Sequence, residues 1–130
     1  MNPAKKGTVL IVEDEPTVRA LAVSILENFA YATLSAANAR EAVALLETES
    51  PVDLLFTDLN IPDGPDGLDG LALAQAAREL RPELHVLYTT GGGQTDGMTA
   101  LFVVGAGFLQ KPYTHGQLLD ALDALLPLNT

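Results

Sequence analysis

Residues 8–15 read TVLIVEDE, a run of five apolar or β-branched residues that leads directly into three acids. Leu54–Thr57 (LLFT) and Val86–Thr89 (VLYT) are similar runs, followed by Asp58 and Thr90 respectively. Continuous apolar runs of this length are typical of strands that are covered on both faces, which usually means a parallel sheet. These three stretches therefore predict the centre of an α/β fold.

Two further stretches complete a predicted sheet of five strands. Ala32–Ala36 is more polar, as is typical of an edge strand, and Ala106–Leu109 supplies the fifth strand. Between the strands, apolar residues recur at the three- and four-residue spacing of amphipathic helices. A fourth helix near Met98 is only weakly indicated, because each surrounding glycine costs a helix about 1 kcal/mol relative to alanine.

The predicted helices are marked by apolar faces and by capping residues. Asn38 is the predicted N-cap of the second helix and Thr114 that of the last, while the third ends before Pro82. The predicted apolar positions are Val18, Leu21, Ala22, Ile25, Leu26 and Phe29 in the first helix, Val43, Leu45 and Leu46 in the second, Leu71, Ala74, Ala77 and Leu80 in the third, and Leu118, Ala121, Leu122, Leu125 and Leu126 in the last. Right-handed crossovers between parallel strands then predict a doubly wound α/β sandwich.

Composition narrows the class of protein further. The 130 residues carry seven basic and seventeen acidic side chains, for a net charge of -10. Such a surface repels phosphates and anionic headgroups, so neither nucleic acid nor a membrane is an expected partner. No apolar run reaches the ~20 residues of a membrane span, and there is no cysteine for a disulfide. We expect a cytoplasmic protein with one domain over residues 8–127, tails at 1–7 and 128–130, and no output domain.

Polar side chains collect at the carboxyl ends of the predicted strands, where α/β folds place their functional sites. Glu13 and Asp14 follow the first strand, Asp58 the third, Thr90 the fourth and Lys111 the fifth. Three carboxylates against one lysine leave two negative charges that repel one another unless a cation is present. Oxygen ligands favour magnesium, or manganese in its place. Acids stand where a glycine-rich phosphate loop would follow the first strand, which disfavours nucleotide binding.

Each of these residues also has a simpler structural interpretation. Acids before Pro16 interact favourably with the dipole of the following helix, and a lone Asp58 or Thr90 suits a turn. A lone lysine is most often solvated, and a lone Phe108 is most often part of a core. All of these interpretations would have to hold together at four strand ends, which favours a shared functional site.

The segments VLIVEDEP, LLFTDLNIP and LQKP, with a threonine after the fourth strand, make the chain resemble the receiver domains of bacterial two-component response regulators. The resemblance extends from about Thr8 to Leu126, and LLFTD, LYTT and FLQKPY are most similar to receivers of hybrid histidine kinases. It implies a flavodoxin-like three-layer sandwich with five parallel strands in the order 2-1-3-4-5. It also implies a phosphoacceptor rather than an enzyme.

The resemblance implies a role for each polar residue at the strand ends. Asp58 would accept a phosphoryl group from a histidine kinase or a histidine phosphotransfer protein, and Lys111 would pair with that group. The metal ligands for Mg²⁺ (or Mn²⁺) would be Glu13, Asp14, Asp58 and the backbone carbonyl of Asn60.

The resemblance also implies a signalling switch. Thr90 would bond the phosphoryl group, and the aromatic Phe108 would rotate inward in response. Pro112 would follow a cis peptide bond. The face from the fourth strand to the last helix would then signal to an unknown downstream protein, either as a monomer or as a phosphorylation-dependent dimer.

Two features depart from the family pattern, and two other functions stay open. The acidic loop Pro62–Gly70 is longer than usual, and Gly91 and Gly92 stand where the family often has alanine and a larger side chain. One alternative is a receiver-shaped interaction module that is never phosphorylated. The other is a small Mg²⁺-dependent phosphatase with an aspartate nucleophile, although such enzymes need a second acid where this chain has Asn60.

Overall fold

The computed structural model describes residues 6–48, 50–61, 69–91 and 99–126. The strands are β1 (Thr8–Val12), β2 (Ala32–Ala36), β3 (Leu54–Asp58), β4 (His85–Thr90) and β5 (Gly107–Gln110). The helices described in full are α1 (Pro16–Asn28), α2 (Ala39–Leu46), α3 (Gly70–Leu80) and α4 (His115–Leu125). The C-terminal tail, most of the N-terminal tail, most of the loop Pro62–Gly70, Gly92, and Met98 of the weakly indicated helix lie outside the described residues.

The five strands form one sheet in the order β2-β1-β3-β4-β5, and every neighbouring pair is parallel. This order confirms the doubly wound architecture, with β2 at an edge as its polar sequence predicts. β3 ends one residue later than its apolar run, and β4 is one residue longer at each end, so Asp58 and Thr90 belong to the strands. The reason is that backbone pairing continues regardless of side-chain polarity. β5 lies one residue later in the chain than the predicted Ala106–Leu109.

Alternate strand residues point to opposite faces of the sheet and build two cores. On one face, α2 and α3 cover a cluster that includes Leu10, Val12, Leu55, Leu73, Ala74, Val86 and Tyr88. On the other, α1 and α4 cover a cluster that includes Val9, Ile11, Leu26, Phe56, Leu87, Leu118 and Leu122. The result is the expected three-layer sandwich. Within the described residues, no helix has the length and hydropathy of a membrane span.

The predicted apolar faces of α1 and α3 are wrong at three positions. Leu21 is 54% exposed, Phe29 43% and Leu80 43%. The buried stripe of α1 is narrower and consists of Ala22, Ile25 and Leu26. Phe29 lies just past the last helical residue with non-helical dihedral angles, and Leu80 ends α3. A helix on one side of a sheet buries one stripe, and spacing alone does not show how wide that stripe is.

Side-chain caps start three of the helices. Asn38 Oδ1 accepts a hydrogen bond from Glu41 N at 2.8 Å, as predicted. Thr114 Oγ1 accepts one from Gln117 N at 3.1 Å, and Gln117 Oε1 accepts one from Thr114 N at 2.9 Å. This reciprocal capping box confirms the predicted start of α4. Asp69 caps α3 through a single hydrogen bond, which its Oδ1 accepts from Ala72 N, and this cap was not predicted.

Tyr31, the residue just before β2, connects this strand to α4. Its side chain is fully buried, and its hydroxyl donates a hydrogen bond to Asp123 Oδ1 at 3.1 Å. Burial and the neighbouring Asp123 carboxylate raise the pKa of Tyr31 from 10.0 to about 12. The folded protein therefore favours the neutral phenol more strongly than the unfolded chain does.

This raised pKa predicts a specific loss of stability in alkali. The contribution of Tyr31 is fully present below its unfolded pKa of about 10 and is lost as the pH rises towards 12, on the order of 1–2 kcal/mol. We expect urea unfolding to show wild type more stable than Tyr31→Phe at pH 9, with the advantage shrinking by pH 11.5. Parallel pH profiles for the two proteins would contradict the assignment.

Candidate functional site

Four parallel strands end at the same edge of the sheet and bring the candidate residues together. Asp58 is the last residue of β3 and Thr90 that of β4, while Glu13 directly follows β1 and Lys111 directly follows β5. The register pairs Asp58 with Thr89, so β3 and β4 end almost level. Glu13, Asp58 and Thr90 are 4%, 5% and 1% exposed. Three polar side chains are thus buried at one edge, so the two carboxylates and the hydroxyl all require partners.

Lys111 lies at the centre of this cluster. Its Nζ is 2.6 Å from Glu13 Oε1 and 2.6 Å from Asp58 Oδ2. The other oxygen of the phosphoacceptor candidate, Asp58 Oδ1, accepts a hydrogen bond from Asn60 N at 2.8 Å. Both oxygens of Asp58 are therefore held by donors, which sets the orientation of the carboxylate. The Lys111–Pro112 peptide bond is cis.

Burial and charge act in opposite directions on the ionisable groups here. Burial raises the pKa of Glu13, although Lys111 opposes this shift. Burial alone would lower the pKa of Lys111, but its hydrogen bonds to Asp58 and Glu13 outweigh that effect and raise it above 10.5. Lys111 is therefore cationic at neutral pH. Its single positive charge forms ion pairs with both Glu13 and Asp58.

The acidic residues can supply a metal site. Glu13, Asp14 and Asp58 each offer a carboxylate oxygen, and these oxygens lie within 4.8 Å of one another. Asp14 is exposed while the other two are buried, so a cation between them would face solvent on one side. An all-oxygen donor set with room for water suits Mg²⁺ or Mn²⁺. The donors present therefore fit the expected ion.

Asn60 connects the ends of β3 and β4. Its side-chain Nδ2 donates a hydrogen bond to Thr90 Oγ1 at 2.6 Å. The sequence pointed only to the backbone carbonyl of Asn60 as a metal ligand, and a side-chain role was not foreseen. The hydroxyl of Thr90 is thus tied to a residue two positions after Asp58, which gives the two strand ends a direct link.

Phe108 lies half-buried at the end of a row of three aromatic rings. The Phe102 ring centroid is 6.1 Å from that of Phe108 and 4.3 Å from that of Tyr88. Tyr88 is fully buried, and its hydroxyl accepts a hydrogen bond from Val103 N at 3.2 Å. A movement of Phe108 would therefore act first on Phe102 and on the backbone next to it.

Two residues that hold Glu13 were missed in the sequence. Arg19 Nη1 donates a hydrogen bond to the Glu13 carbonyl at 2.7 Å, and Glu15 N lies 3.3 Å from Glu13 Oε2. Arg19 is in the first turn of α1, directly after the strand end. A basic side chain one turn into a helix that follows a buried acid is the signal that could have identified it.

Gly70, the first residue of α3, allows a close approach to the backbone of Asp58. A Cβ at this position would lie 2.3 Å from the Asp58 carbonyl oxygen and 2.6 Å from Leu59 Cα. Both neighbours are main-chain atoms, so neither can rotate away. The start of α3 can pack against the end of β3 only without a side chain here.

We expect Gly70→Ala to lower the free energy of unfolding by about 1–3 kcal/mol, as for other overpacked positions. Gly91→Ala is a matched control, because a Cβ at Gly91 would meet no atom of the described residues within 4 Å. Its effect should stay within about 0.5 kcal/mol. Urea unfolding of both variants checks this. Equal effects would show that α3 does not depend on the close contact.

Comparisons with known proteins point in one direction. A family model for the response regulator receiver domain matches residues 9–123. The chain is 38% identical over 122 residues to the response regulator protein PilR of Pseudomonas aeruginosa, covering 92% of this chain and 26% of PilR. It is 28% identical over 123 residues to sporulation initiation phosphotransferase F of Bacillus subtilis, covering 94% and 95% of the two chains.

Solved structures agree with the sequence relatives. A response regulator receiver protein from Sinorhizobium medicae is similar with a TM-score of 0.82 and 26% identity, over 95% of this chain and 94% of that one. The chain spans about a quarter of PilR but nearly the whole length of the Bacillus protein. The Bacillus protein and the Sinorhizobium structure are matched over 95% and 94% of their own lengths.

Proposed function

Because the chain belongs to the response regulator receiver domain family, we propose that it accepts a phosphoryl group on Asp58 from a histidine kinase or a histidine phosphotransfer protein. The observation that carries the proposal is the Asp58 carboxylate, buried at the end of β3 with Lys111 Nζ 2.6 Å from its Oδ2. A buried carboxylate held next to a cation is well placed to act as a nucleophile.

Phosphoryl transfer needs mainly position and charge from the protein. In the proposed reaction a carboxylate oxygen of Asp58 attacks the phosphorus of a phosphohistidine, and the P–N bond breaks. The imidazole nitrogen keeps the electron pair and later takes a proton. The acyl phosphate formed carries about two negative charges where the carboxylate carried one. Lys111 Nζ, already a donor to Asp58, is placed to donate to the added oxygens.

The metal ligands follow from the donor set. Glu13, Asp14 and Asp58 would hold Mg²⁺ or Mn²⁺, with the Asn60 carbonyl as the fourth protein ligand, and the spacing of the three carboxylates supports this. When bound, the ion supplies positive charge to the transferring oxygens. Arg19 helps to hold Glu13 in place, because its Nη1 donates a hydrogen bond to the backbone carbonyl of Glu13.

Thr90 and Phe108 are the proposed switch. Thr90 Oγ1 now accepts a hydrogen bond from the Asn60 side chain, and in the phosphorylated protein its hydroxyl would donate to the phosphoryl group. Phe108 would move into the space that Thr90 leaves. Because Phe108 is next to Phe102 in the aromatic row, the change would reach residues 102–104 and the face shared by β4, β5 and α4, which would bind the downstream protein.

Two other functions are less well supported. A phosphatase with an aspartate nucleophile needs a second acid two residues later, and here Asn60 donates its side-chain amide to Thr90 instead. An interaction module that is never phosphorylated would have no use for Glu13 and Asp58 buried around Lys111, because burying charged groups is costly. The phosphoacceptor function accounts for both observations.

The proposal is tested by intact mass after incubation with acetyl phosphate. We expect a gain of one phosphoryl group with MgCl₂ and none with EDTA. No gain in a protein that binds Mg²⁺ by calorimetry would contradict self-catalysed phosphorylation. It would point to a receiver that depends on its kinase or to the interaction module. Continuous release of phosphate at a high turnover rate would instead favour the phosphatase.

A further inference from the structure

Thr89 has a buried hydroxyl that the proposed chemistry does not use. The residue is 3% exposed, and within the part of the chain that the structure describes, its Oγ1 has no hydrogen-bond partner. Buried hydroxyl groups are nearly always hydrogen-bonded to protein or to ordered water, because leaving one unpaired costs free energy. Thr89 therefore needs an explanation.

Strand geometry places Thr89 on the opposite face from Thr90. Side chains alternate along a strand, so Thr89 shares the face of Leu87, which packs with α1 and α4. In the register, Thr89 is the partner of Asp58. Thr89 is thus next to the acidic cluster but on the side away from the Asn60–Thr90 hydrogen bond, and its function must differ from that of Thr90.

A small cavity adjoins this hydroxyl. Its lining includes Glu13, Val18, Ala22, Phe56, Thr89 and Tyr113, and about 10 Å³ is open to the centre of a water-sized sphere. One water molecule itself occupies roughly 10–15 Å³ as a sphere and needs at least two polar partners. Most of the wall is apolar or aromatic, while Thr89 and Glu13 supply polar groups from the carboxyl ends of two different strands. The cavity has the size and the chemistry for a single water.

We propose that this cavity binds one structural water that bridges the hydroxyl of Thr89 and the carboxylate of Glu13. Glu13 already accepts a hydrogen bond from Lys111 at Oε1 and one from Glu15 N at Oε2. Each carboxylate oxygen can accept more than one hydrogen bond, so a bridging water adds a contact without displacing either donor. Thr89 then becomes a positioning residue for Glu13, and this positioning role rests on the proposed metal site.

The Thr89→Val variant distinguishes between two possibilities, a Thr89 hydroxyl that is bridged by water and one that is unpaired. Valine has nearly the same shape but cannot hydrogen-bond, so removing an unpaired hydroxyl would raise the unfolding midpoint. Removing a bridged hydroxyl leaves the water short of a partner, and we expect the midpoint without metal to fall. Thr57→Val is the matched control, because Thr57 is buried and its hydroxyl already donates to the Asp58 carbonyl. Its midpoint should also fall.

The positioning role is tested by calorimetric titration with MgCl₂. We expect Thr89→Val to raise the dissociation constant for Mg²⁺ about tenfold, as for other residues that orient a metal ligand. Thr89→Ser, which keeps the hydroxyl, should restore it, and Thr57→Val should leave it within about twofold. A raised midpoint together with an unchanged dissociation constant would overturn the proposal.

A high-resolution crystal structure of the wild-type protein gives a test that needs no variant. Water density between Thr89 and Glu13 is the expected result. An empty cavity, or a Thr89 hydroxyl bonded to a protein atom, would refute the water site. If the wild-type protein failed to bind Mg²⁺, the proposed function would fail, while the unfolding midpoints and the water density would still decide whether the water is present.

Discussion

The Asp58→Asn variant is expected to gain no phosphoryl group from acetyl phosphate and MgCl₂, under conditions in which the wild-type protein gains one. An amide oxygen is too weak a nucleophile to attack phosphorus. Of the two carboxylates near Asp58, Glu13 is held by Lys111 and Glu15 N, and Asp14 is an exposed candidate metal ligand, so we expect neither to replace Asp58. Intact mass spectrometry gives the answer directly. Asp53→Asn is the control, because Asp53 is an exposed aspartate whose Oδ2 accepts a hydrogen bond from the backbone N of Thr8, the first residue of β1.

The same substitution also tests the charge argument. Asparagine keeps only one of the two acceptor oxygens, so it can accept the hydrogen bond from Lys111 or the one from Asn60 N but not both. It also removes one of three mutually repelling charges. We therefore expect the unfolding midpoint of Asp58→Asn without Mg²⁺ to equal or exceed that of the wild type. A lower midpoint would show that the ion pair with Lys111 outweighs the repulsion among the carboxylates. In the mass measurement, phosphoryl uptake by Asp58→Asn at the wild-type level would disprove Asp58 as the acceptor.

The second large effect is expected for Lys111→Met in the presence of EDTA. Methionine matches the four-atom stem of lysine without its ammonium group, so it leaves Glu13 and Asp58 buried without a cation. Losing one partner of a fully buried pair costs about 3–5 kcal/mol. Since 21% of the Lys111 side chain is exposed, we expect a loss of about 2–3 kcal/mol in the free energy of unfolding. Urea unfolding measures it.

Magnesium should compensate for much of this loss. A divalent cation would neutralise the same carboxylates, so saturating MgCl₂ should narrow the gap between Lys111→Met and the wild type. Lys6→Met is the control, because among the described residues the charged group of Lys6 contacts only the Tyr31 ring, with its Nζ 5.5 Å from the ring centroid. It should cost less than about 1 kcal/mol and be insensitive to Mg²⁺. Equal losses of unfolding free energy for both variants would show that Lys111 does not stabilise the buried carboxylates.

Much of the fold could be predicted because hydrophobic periodicity reports burial. The runs at Thr8–Val12 and Leu54–Thr57 are strands in the structure, and the caps at Asn38 and Thr114 are where the sequence predicts them. The same signal failed at Leu21, which is on the predicted apolar face of α1 but is exposed. Spacing shows which residues could share a face, whereas the width of the buried stripe depends on how the helix packs against the sheet.

The candidate site could be predicted in its members but not in its contacts. Parallel strands end at one edge, so acids and a lysine at those ends are expected to meet. The hydrogen bonds from Asn60 to Thr90 and from Arg19 to the Glu13 carbonyl depend on side-chain rotamers. Rotamer choice is decided by the surrounding packing and is not visible in the order of residues.

The sequence by itself determined the architecture, the order of the elements and which ionisable groups stand at the strand ends, because these depend on local periodicity and on strand topology. Only the tertiary structure decided which charges touch. Lys111 is 98 positions from Glu13 and 53 from Asp58 along the chain, yet its Nζ is 2.6 Å from each carboxylate. The close contact at Gly70 and the buried hydroxyl of Thr89 likewise exist only once separate segments pack together. Contacts of this kind depend on the simultaneous packing of distant segments, which no local pattern encodes.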